Sequence, residues 1–392
     1  MKHKNTAYIN RTALVNNYRT IEQIAKSENP AVRMIAVVKA NAYGHGIDLV
    51  SAVLGDAGCS FFAVSSEEEA VELRALENRF GRHPDILILG RADPDNIAFL
   101  LENDIICAVV CAEIARLLSD AVSVYNEENG TAHALRIHVK LDTGMNRVGF
   151  AADEDSIAET VEQIAALTGD KNLRPEGIFT HFAAADDDLA DASAPAPDSL
   201  TAKQTARWER ALDLLEHRGV DCGVRHAANS AAALGLPSVR CDAVRAGIAL
   251  YGLMPDGTID PRFAPVMTFS STVVQIHRVK KGESVGYGGT FTAERDMNIA
   301  TVAAGYGDGF ERRFAGCTVK IRGHEVRVIG RICMDQFMAD VTDFADIDTG
   351  DRVILFGGDD GTMIAGLARR GDTIHYEIVC GITQRVARVP ED

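Results

Sequence analysis

The sequence predicts an α/β protein in which an N-terminal (β/α)8 TIM barrel precedes a C-terminal, mostly β domain. Before about residue 254, apolar segments of strand length recur, and most are separated by helix-length amphipathic segments, which is the pattern of such a barrel. After it, apolar residues alternate with period two in short runs between turn residues, which is typical of half-exposed strands. The strand-like segments of the first region are 34–38, 60–64, 85–89, 105–110, 134–141, 176–182, 223–227 and 243–250.

The length of 392 residues exceeds the size at which single cores stop growing, so two domains are expected. We place the barrel at residues 1–254 and the β domain at 255–392, with a short strand near 7–9 as a candidate for the second domain's sheet. A doubly wound open sheet is the main alternative, but such a sheet rarely needs eight strands. Ser66 followed by Glu69 predicts a helix that begins with a capping box. Residues 183–204, rich in Ala, Asp, Pro and Ser, predict a solvated loop.

The composition excludes several classes of partner. The net charge of −16 and the pI near 5.2 argue against nucleic acid and anionic membranes, because both need a basic surface. The eight cysteines form no C-x-x-C pair and no zinc-spaced cluster with histidine, so neither a metal site nor a disulfide scaffold is predicted. No apolar run approaches the roughly 18 residues of a membrane span. We therefore expect a cytoplasmic protein that binds any phosphate as a small ligand.

The segment MIAVVKANAYGHG, residues 34–46, is the first candidate for chemistry. Its apolar run, Met34 to Val38, has the length of a buried strand and stops at Lys39. The glycines after Tyr43 mark a loop whose backbone can approach a ligand closely. A primary amine at the mouth of a strand is a natural Schiff-base nucleophile, but a capping lysine that extends to solvent fits this segment equally well.

Other polar residues also follow predicted strands, and barrel enzymes carry their active sites at the C-terminal ends of the strands. Phosphate sites in these barrels use the loops after strands seven and eight together with a helix N-terminus, which indicates Ser230 and the backbone at Gly247 and Ile248. The residues at predicted strand ends are Lys39, Lys140, Asp142, Arg147, His181, Asn229, Ser230, Arg245 and Gly247.

Taken together and in this order, the motifs of the chain resemble those of the pyridoxal-phosphate-dependent alanine racemases, which are fold-type III enzymes. The resemblance covers nearly the whole chain. It implies a barrel followed by a β domain, and a head-to-tail homodimer in which each active site takes residues from both subunits. The motifs that carry it are AVVKANAYGHG, LDTGMNRVGF, THFAAAD, ANSAA, VRAGIALYG, VGYGGTF, GYGDGF, GRICMDQ and IHYEIV.

The resemblance implies a role for each site residue. Lys39 would bind pyridoxal 5'-phosphate as a Schiff base and act on the D face, and Tyr287 of the other subunit would act on the L face. The residues implied in holding the phosphate are Tyr43, Ser230, Gly247, Ile248 and Tyr376, with Asn229 beside them.

The remaining implied roles concern the cofactor ring and the substrate. Arg147 would contact the ring oxygen and the substrate, and Arg245 the pyridine nitrogen, with His181 between Arg245 and Tyr287. Lys140 matches a position that some members carbamylate. Met334 of the other subunit would help to bind the substrate carboxylate, while Tyr306 and Asp335 would line the entry.

The function implied is the interconversion of L-alanine and D-alanine, which supplies D-alanine for peptidoglycan. Racemisation by two bases needs them on opposite faces of one carbon, which the lysine and tyrosine would provide. A racemase of serine or lysine on the same scaffold stays an alternative, because the residues that set pocket width are not readable from sequence. A barrel-type decarboxylase of basic amino acids is disfavoured by Arg245, since those enzymes pair the pyridine nitrogen with an acid. A non-catalytic cofactor carrier would lack the β domain.

Overall fold

The computed structural model describes residues 5–76, 83–188, 195–358 and 360–392. The chain forms two units, which are discontinuous in sequence. One comprises residues 18–40 and 51–250, and the other comprises 1–17, 41–50 and 251–392. Strand β1 (Thr6–Asn10) and helix α1 (Arg11–Ala25) open the chain.

The first unit contains eight parallel strands in the spatial order β10-β2-β3-β4-β5-β6-β8-β9, which confirms the predicted barrel. The short β7 pairs only with β6. Backbone bonds from Asp242 to the Arg225 carbonyl (3.0 Å) and from Arg245 to the Ala228 carbonyl (2.9 Å) link β10 to β9 and its end, so the sheet nearly closes. The strands are β2 (Arg33–Val37), β3 (Phe61–Val64), β4 (Asp85–Arg91), β5 (Ile106–Val109), β6 (Leu135–Asp142), β7 (Phe150–Ala151), β8 (Leu173–Phe179), β9 (Val224–His226) and β10 (Ala243–Ala246).

Helices connect the barrel strands and bury one apolar face each. In the helix 112–129, for example, the buried side chains recur at Ile114, Leu118 and Val122, which is the spacing of one helical face. The helices are α2 (Lys39–Tyr43), α3 (Ile47–Asp56), α4 (Glu67–Ala75), α5 (Ile97–Glu102), α6 (Ala112–Asn129), α7 (Ile157–Thr168), α8 (Leu200–His217) and α9 (Ser230–Gly235), with 3-10 turns at Pro94–Asn96, Ala185–Asp188, Pro237–Val239 and Ile248–Tyr251.

The expectation of a loop over 183–204 is wrong at both of its ends. The 3-10 turn at Ala185–Asp188 lies within the segment, and α8 begins at Leu200, with the Ser199 hydroxyl accepting a bond from the Ala202 N–H (3.0 Å). A serine cap of this kind is a signal for the start of a helix. The sequence analysis misses it because the preceding segment is low in apolar residues. Residues 189–194 lie outside the described part of the chain.

The second unit is built on an eight-stranded sheet in the order β14-β17-β16-β15-β18-β11-β1-β19. β11 also pairs with β14, so six of the strands form a closed ring. β1 pairs antiparallel with β11 and parallel with β19. The strands are β11 (Met267–Val279), β12 (Ser284–Val285), β13 (Phe291–Thr292), β14 (Met297–Val302), β15 (Thr318–Ile321), β16 (His324–Ile329), β17 (Phe337–Asp340), β18 (Arg352–Phe356) and β19 (Ala387–Glu391).

Two helices that the sequence analysis does not predict lie in this unit, α10 (Thr362–Gly371) and α11 (His375–Cys380). The second carries Tyr376. Loops of the same unit carry 3-10 turns at Tyr287–Gly289, Tyr306–Asp308 and Arg312–Phe314.

Candidate active site

Basic side chains collect at the C-terminal ends of the barrel strands. Lys39 follows β2, Lys140 and Arg147 belong to β6 and the loop after it, His181 follows β8, and Arg245 lies on β10. Because all of these strands are parallel, their carboxyl ends share one end of the barrel. This group of five side chains is called the mouth cluster below.

The chain turns sharply after Lys39. The four residues Ala40–Tyr43, which form most of α2, have φ between 52 and 54°, so this short helical turn before the predicted glycine loop is left-handed. Left-handed backbone costs about 1–2 kcal/mol per non-glycine residue, so the surrounding structure must hold it. The Glu69 carboxylate accepts a bond from the Ala40 N–H (2.5 Å) and another from the Ser65 N–H (2.8 Å).

The same glutamate corrects the predicted capping box. The Ser66 hydroxyl accepts a bond from the Glu69 N–H at 3.5 Å, as expected. The Glu69 side chain, however, bonds to Ser65 and Ala40 rather than to the N–H of Ser66. The reciprocal half of the box is therefore missing, because this carboxylate supports the turn that follows Lys39.

Arg245 is buried and its two terminal nitrogens are fully engaged. Its Nη1 donates to the ring nitrogen Nδ1 of His226 (2.8 Å) and also to the backbone carbonyl of His226. Nη2 donates to the carbonyls of Thr180 (2.6 Å) and Ala227 (2.9 Å) and contacts Nδ1 of His181 at 3.3 Å. None of these bonds uses Nε–H, and among the described residues no carboxylate pairs with this guanidinium. Burial lowers the pKa of Arg245 to about 9.

The arginine also fixes the tautomers of two buried histidines that the sequence analysis does not single out. Since Nδ1 of His226 accepts from Arg245, its Nε2 carries the proton and donates to Nδ1 of His138 (2.8 Å). The His138 ring lies against Gly177, where a Cβ would stand 2.6 Å from its Cε1. Burial lowers the pKa of His138 to about 3 and holds that of His226 well below its usual value. An inward-facing histidine in each strand was the available signal.

The other members of the mouth cluster influence one another through charge. Burial, then the positive charges of Arg147 and Arg245, lower the pKa of Lys140 to about 8. Burial and the same arginines hold the pKa of His181 well below its usual value, so its imidazole is neutral. Lys140 Nζ lies 5.8 Å from the centre of the Phe179 ring. The mouth of the barrel is thus rich in cations that lower each other's affinity for protons.

Two polar residues organise the loops of the mouth cluster. The Asp142 carboxylate accepts bonds from the backbone N–H groups of Gly144 (3.0 Å), Asn146 (2.9 Å) and Arg147 (3.0 Å), which shapes the loop that presents Arg147. Gln204 of α8 donates to the carbonyl of His181 (3.0 Å) and accepts from the Ala183 N–H (2.9 Å).

Gln204 is a site residue that the sequence analysis misses. Its side chain is fully buried. The sequence places it at the end of a predicted solvated loop, whereas the structure shows a buried amide on a capped helix.

The residues predicted to hold a phosphate in the barrel unit lie together after β9 and β10. The Gly247 N–H donates to the Ser230 hydroxyl (2.8 Å), which leaves that hydroxyl's own proton to donate elsewhere. Asn229 caps α9 by accepting from the Ala232 N–H (3.1 Å). Ile248 begins the 3-10 turn that follows.

Tyr43 and Tyr376 lie in the other unit. Their ring centres are 6.1 Å apart, and Tyr43 also packs 5.0 Å from Tyr251. Burial raises the pKa of Tyr43, so its phenol keeps its proton and is a hydrogen-bond donor.

Loops of the β unit present the remaining predicted residues to solvent. Tyr287 is 69% exposed and Met334 53% exposed. The loops carrying Tyr306 and Met334 are joined by a bond from the Gly307 N–H to the Met334 carbonyl (2.9 Å). Asp335 pairs with Arg385 (2.7 Å). Tyr287 and Met334 are thus accessible on the surface of the β unit.

The residues of the barrel unit suit pyridoxal 5'-phosphate. Its phosphate and ring oxygen are anionic, which matches a cationic mouth, and its pyridine nitrogen is an acceptor, which matches the Nε–H of Arg245. A serine hydroxyl with a proton to donate matches a phosphate oxygen. Fold and site together define the class of a barrel enzyme built for pyridoxal phosphate.

Comparisons with known proteins agree with that class. The family model for the alanine racemase N-terminal domain matches residues 9–255, and that for the C-terminal domain matches 266–390. The alanine racemase of Desulforamulus reducens is 37% identical, and that of Methanococcus maripaludis 36% identical, each alignment covering 99% of both chains.

Solved structures give the same result. The alanine racemase of Clostridium difficile is 33% identical with a TM-score of 0.87, covering 100% of this chain and 96% of that one. The Bacillus anthracis alanine racemase with bound L-Ala-P is 32% identical with a TM-score of 0.84, covering 98% and 94%. This chain belongs to the alanine racemase family, whose members are pyridoxal-phosphate-dependent isomerases.

Proposed function

We propose that this protein interconverts L-alanine and D-alanine with pyridoxal 5'-phosphate at the mouth of its barrel, and so supplies D-alanine for peptidoglycan. The observation that carries the proposal is Arg245, a buried guanidinium whose terminal nitrogens are saturated by the protein. Only its Nε–H is left by those bonds for a ligand, and this donor suits an unprotonated pyridine nitrogen.

Lys39 and Tyr287 are the proposed bases. When bound, the cofactor supplies a ring that accepts electron density from the substrate's α-carbon. Lys39 attaches the cofactor and moves a proton on the D face, while Tyr287 of a second copy does so on the L face. The strained turn after Lys39 is supported by Glu69, and it fixes the backbone position from which the Lys39 side chain extends. The 69% exposure of Tyr287 is consistent with a residue that serves another subunit.

The other predicted roles follow from donors and charges. Ser230, Tyr43 and Tyr376 hold the phosphate through hydroxyl protons, aided by the backbone at Gly247 and Ile248 and by Asn229, which shapes that loop.

On the substrate side, Arg147, presented by Asp142, binds the ring oxygen and the substrate's carboxylate. Met334 of the second copy helps to bind that carboxylate, and Tyr306 and Asp335 line the entry. His181 is a neutral link between Arg245 and Tyr287.

Lys140 is proposed to be carbamylated. With a pKa of about 8, a substantial fraction of its amine is neutral near physiological pH, and only the neutral amine combines with carbon dioxide. The product would be an anion among cations. Native mass spectrometry at neutral pH in bicarbonate should show one added carbon dioxide on the wild-type protein and none on Lys140→Met, and a wild-type protein without this addition would contradict the assignment.

We further propose a cytoplasmic homodimer. All eight cysteines are free thiols, which suits a reducing compartment. No helix within the described ranges is long and apolar enough to cross a membrane. We also propose that a cofactor domain ends near residue 254 and that a β domain follows it, with β1 in the sheet of the second.

The test is racemisation of a panel of L-amino acids with added cofactor, followed by chiral analysis. L-alanine should be converted to an equal mixture of enantiomers and should be the best substrate. If only serine, lysine or a bulkier amino acid is racemised, the substrate assignment fails while the reaction class survives. Release of carbon dioxide from a basic amino acid would instead support the decarboxylase.

A further inference from the structure

Arg388, on β19, donates hydrogen bonds to backbone carbonyls from two separate segments of the chain. Its Nε donates to the carbonyl of Gly44 (2.8 Å), in the loop that follows Tyr43. Its Nη groups donate to the carbonyls of Thr383 (2.6 Å), Val386 (2.8 Å) and Ile382 (2.6 Å). The register of β19 against β1, in which Arg388 lies opposite Ala7, sets where this side chain starts.

The two segments that Arg388 joins lead to the two proposed phosphate tyrosines. Gly44 adjoins Tyr43, and residues 382–386 follow directly after α11, the helix that carries Tyr376. The segments also touch: a Cβ on Gly44 would clash with the carbonyl oxygen of Val379 in α11, and this glycine has φ of 78°. Only glycine fits such an approach.

The loop needs an external support. It follows the left-handed residues Ala40–Tyr43, whose backbone is unfavourable by itself. His45 contributes one support by bonding through Nδ1 to the Tyr43 carbonyl (2.8 Å), and its ring packs 4.4 Å from Tyr251. The other ring nitrogen, Nε2, has no hydrogen-bond partner within the described part of the chain. Arg388 is therefore the charged group that fixes the loop to the segment after α11.

We infer that Arg388 is a positioning residue for phosphate binding, because it holds the Tyr43 loop against the helix that carries Tyr376. The inference rests on the proposed function, in which these two tyrosines bind the cofactor's phosphate. It predicts a loss that depends on the phosphate group, since the amine of Lys39 and the ring contacts of Arg245 do not involve Arg388.

The experiment compares Arg388→Met and Arg388→Lys with the wild-type protein, all freed of cofactor. Dissociation constants are measured for pyridoxal 5'-phosphate and for pyridoxal, which lacks the phosphate, and melting temperatures are recorded in parallel. Arg388→Met should weaken pyridoxal phosphate about tenfold, the loss expected for charge-assisted hydrogen bonds worth roughly 1.4 kcal/mol. Pyridoxal should bind within about twofold of wild type. Arg388→Lys keeps the charge but not the planar fork and should lie between the two.

The control is Arg278→Met, an exposed arginine of the same unit that pairs with Asp296. It should leave both dissociation constants unchanged. Equal weakening of both ligands by the Arg388 variants, or no weakening of either, would overturn the inference. If Arg388→Met does not fold, Arg388→Lys carries the same test. A wild-type protein that binds pyridoxal phosphate but does not racemise alanine would refute the proposed function and leave this comparison intact.

Discussion

The two ends of the parallel barrel carry charge in opposite ways. At the N-terminal end, Arg136 bonds to three carboxylates, Asp85 (2.8 Å), Asp104 (3.0 Å) and Glu176 (2.7 Å), and Arg33 also bonds to Asp85 (2.8 Å). At the C-terminal end, Arg245 bonds to carbonyls and imidazoles and, within the described ranges, to no carboxylate.

The pKa values show the consequence of this difference. Burial acts against the charge of Arg136, but its bonds to Asp85 and Glu176 outweigh burial and raise its pKa. At the mouth, burial lowers the pKa of Arg245 to about 9 and that of Lys140 to about 8. Charges at the first end therefore support the fold, whereas those at the second destabilise it until an anion binds, as expected for a functional site.

The largest effect is expected at the mouth. Lys39→Ala removes the proposed attachment point and one base, so alanine racemisation should fall by about 10³-fold or more. Lys171→Ala, an exposed lysine before β8, is the matched control and should retain wild-type activity. Conversion of alanine is followed by chiral chromatography, and substantial activity in Lys39→Ala would remove the central residue from the mechanism.

A second change tests why the mouth uses a guanidinium. Even with a pKa lowered to about 9, Arg245 keeps its proton at neutral pH, so the pyridine nitrogen stays unprotonated and the ring withdraws electrons weakly, which disfavours transamination. Arg245→Glu should lower racemisation by about 10²-fold and raise the ratio of pyruvate formed to alanine racemised. Arg218→Gln, at an exposed arginine directly after α8, provides the control. An unchanged product ratio would contradict this role.

The N-terminal end should respond in stability rather than in activity. Arg136→Met leaves Asp85, Asp104 and Glu176 partly buried without their shared cation, so the free energy of unfolding should fall by about 2–3 kcal/mol. The urea midpoint measures this. Affinity for pyridoxal phosphate should not change. Arg116→Met, which breaks an exposed pair with Asp120, should cost about 0.5 kcal/mol or less.

The same network gives a pH dependence with a defined sign. Burial raises the pKa of Asp85, but bonds to Arg136 and Arg33 outweigh burial and leave the pKa below its usual value. A carboxylate of this kind stabilises the fold above its unfolded pKa, and the contribution is lost as the pH falls through the lower, folded value. The stability of the wild-type protein should therefore drop more steeply below about pH 4 than that of Arg136→Met.

The smallest effect expected is a gain in stability at the mouth. A lysine whose pKa is lowered to about 8 destabilises the fold fully below that pH, and the penalty disappears as the pH rises towards the unfolded value. Lys140→Met should therefore stabilise the cofactor-free protein by about 1 kcal/mol while lowering cofactor affinity. If cofactor-free Lys140→Met melts at a lower temperature than the wild type in bicarbonate-free buffer, the proposed difference between the two ends of the barrel is contradicted.

The barrel was predictable because buried parallel strands are continuous apolar segments, as in Met34 to Val38 and 105–110. The site residues at strand ends, such as Lys39 and Arg245, were predictable for the same reason, since a charge that ends an apolar strand stands out. The motifs around Tyr287 and Met334 were recognised only through their resemblance to a family.

Other features depend on contacts between distant segments. The bond from His226 to His138 joins residues 88 positions apart, so a histidine within each apolar strand was the available signal but did not show that the two are partners. Glu69 looked like half of a capping box, and only the fold brings the Ala40 N–H within its reach. Gln204 and Arg388 donate hydrogen bonds to backbone carbonyls. Every residue has a carbonyl, so the sequence does not show which ones these side chains reach.

The most direct measurement is complementation between inactive subunits. Lys39→Ala and Tyr287→Phe chains are mixed, dissociated and reassociated. If each site takes its lysine from one copy and its tyrosine from the other, every mixed dimer regains one complete site. Random pairing should then restore about a quarter of wild-type racemisation, because half of the dimers are mixed and each has one of two sites intact. Activity no greater than the sum of the two separate variants would contradict the shared site.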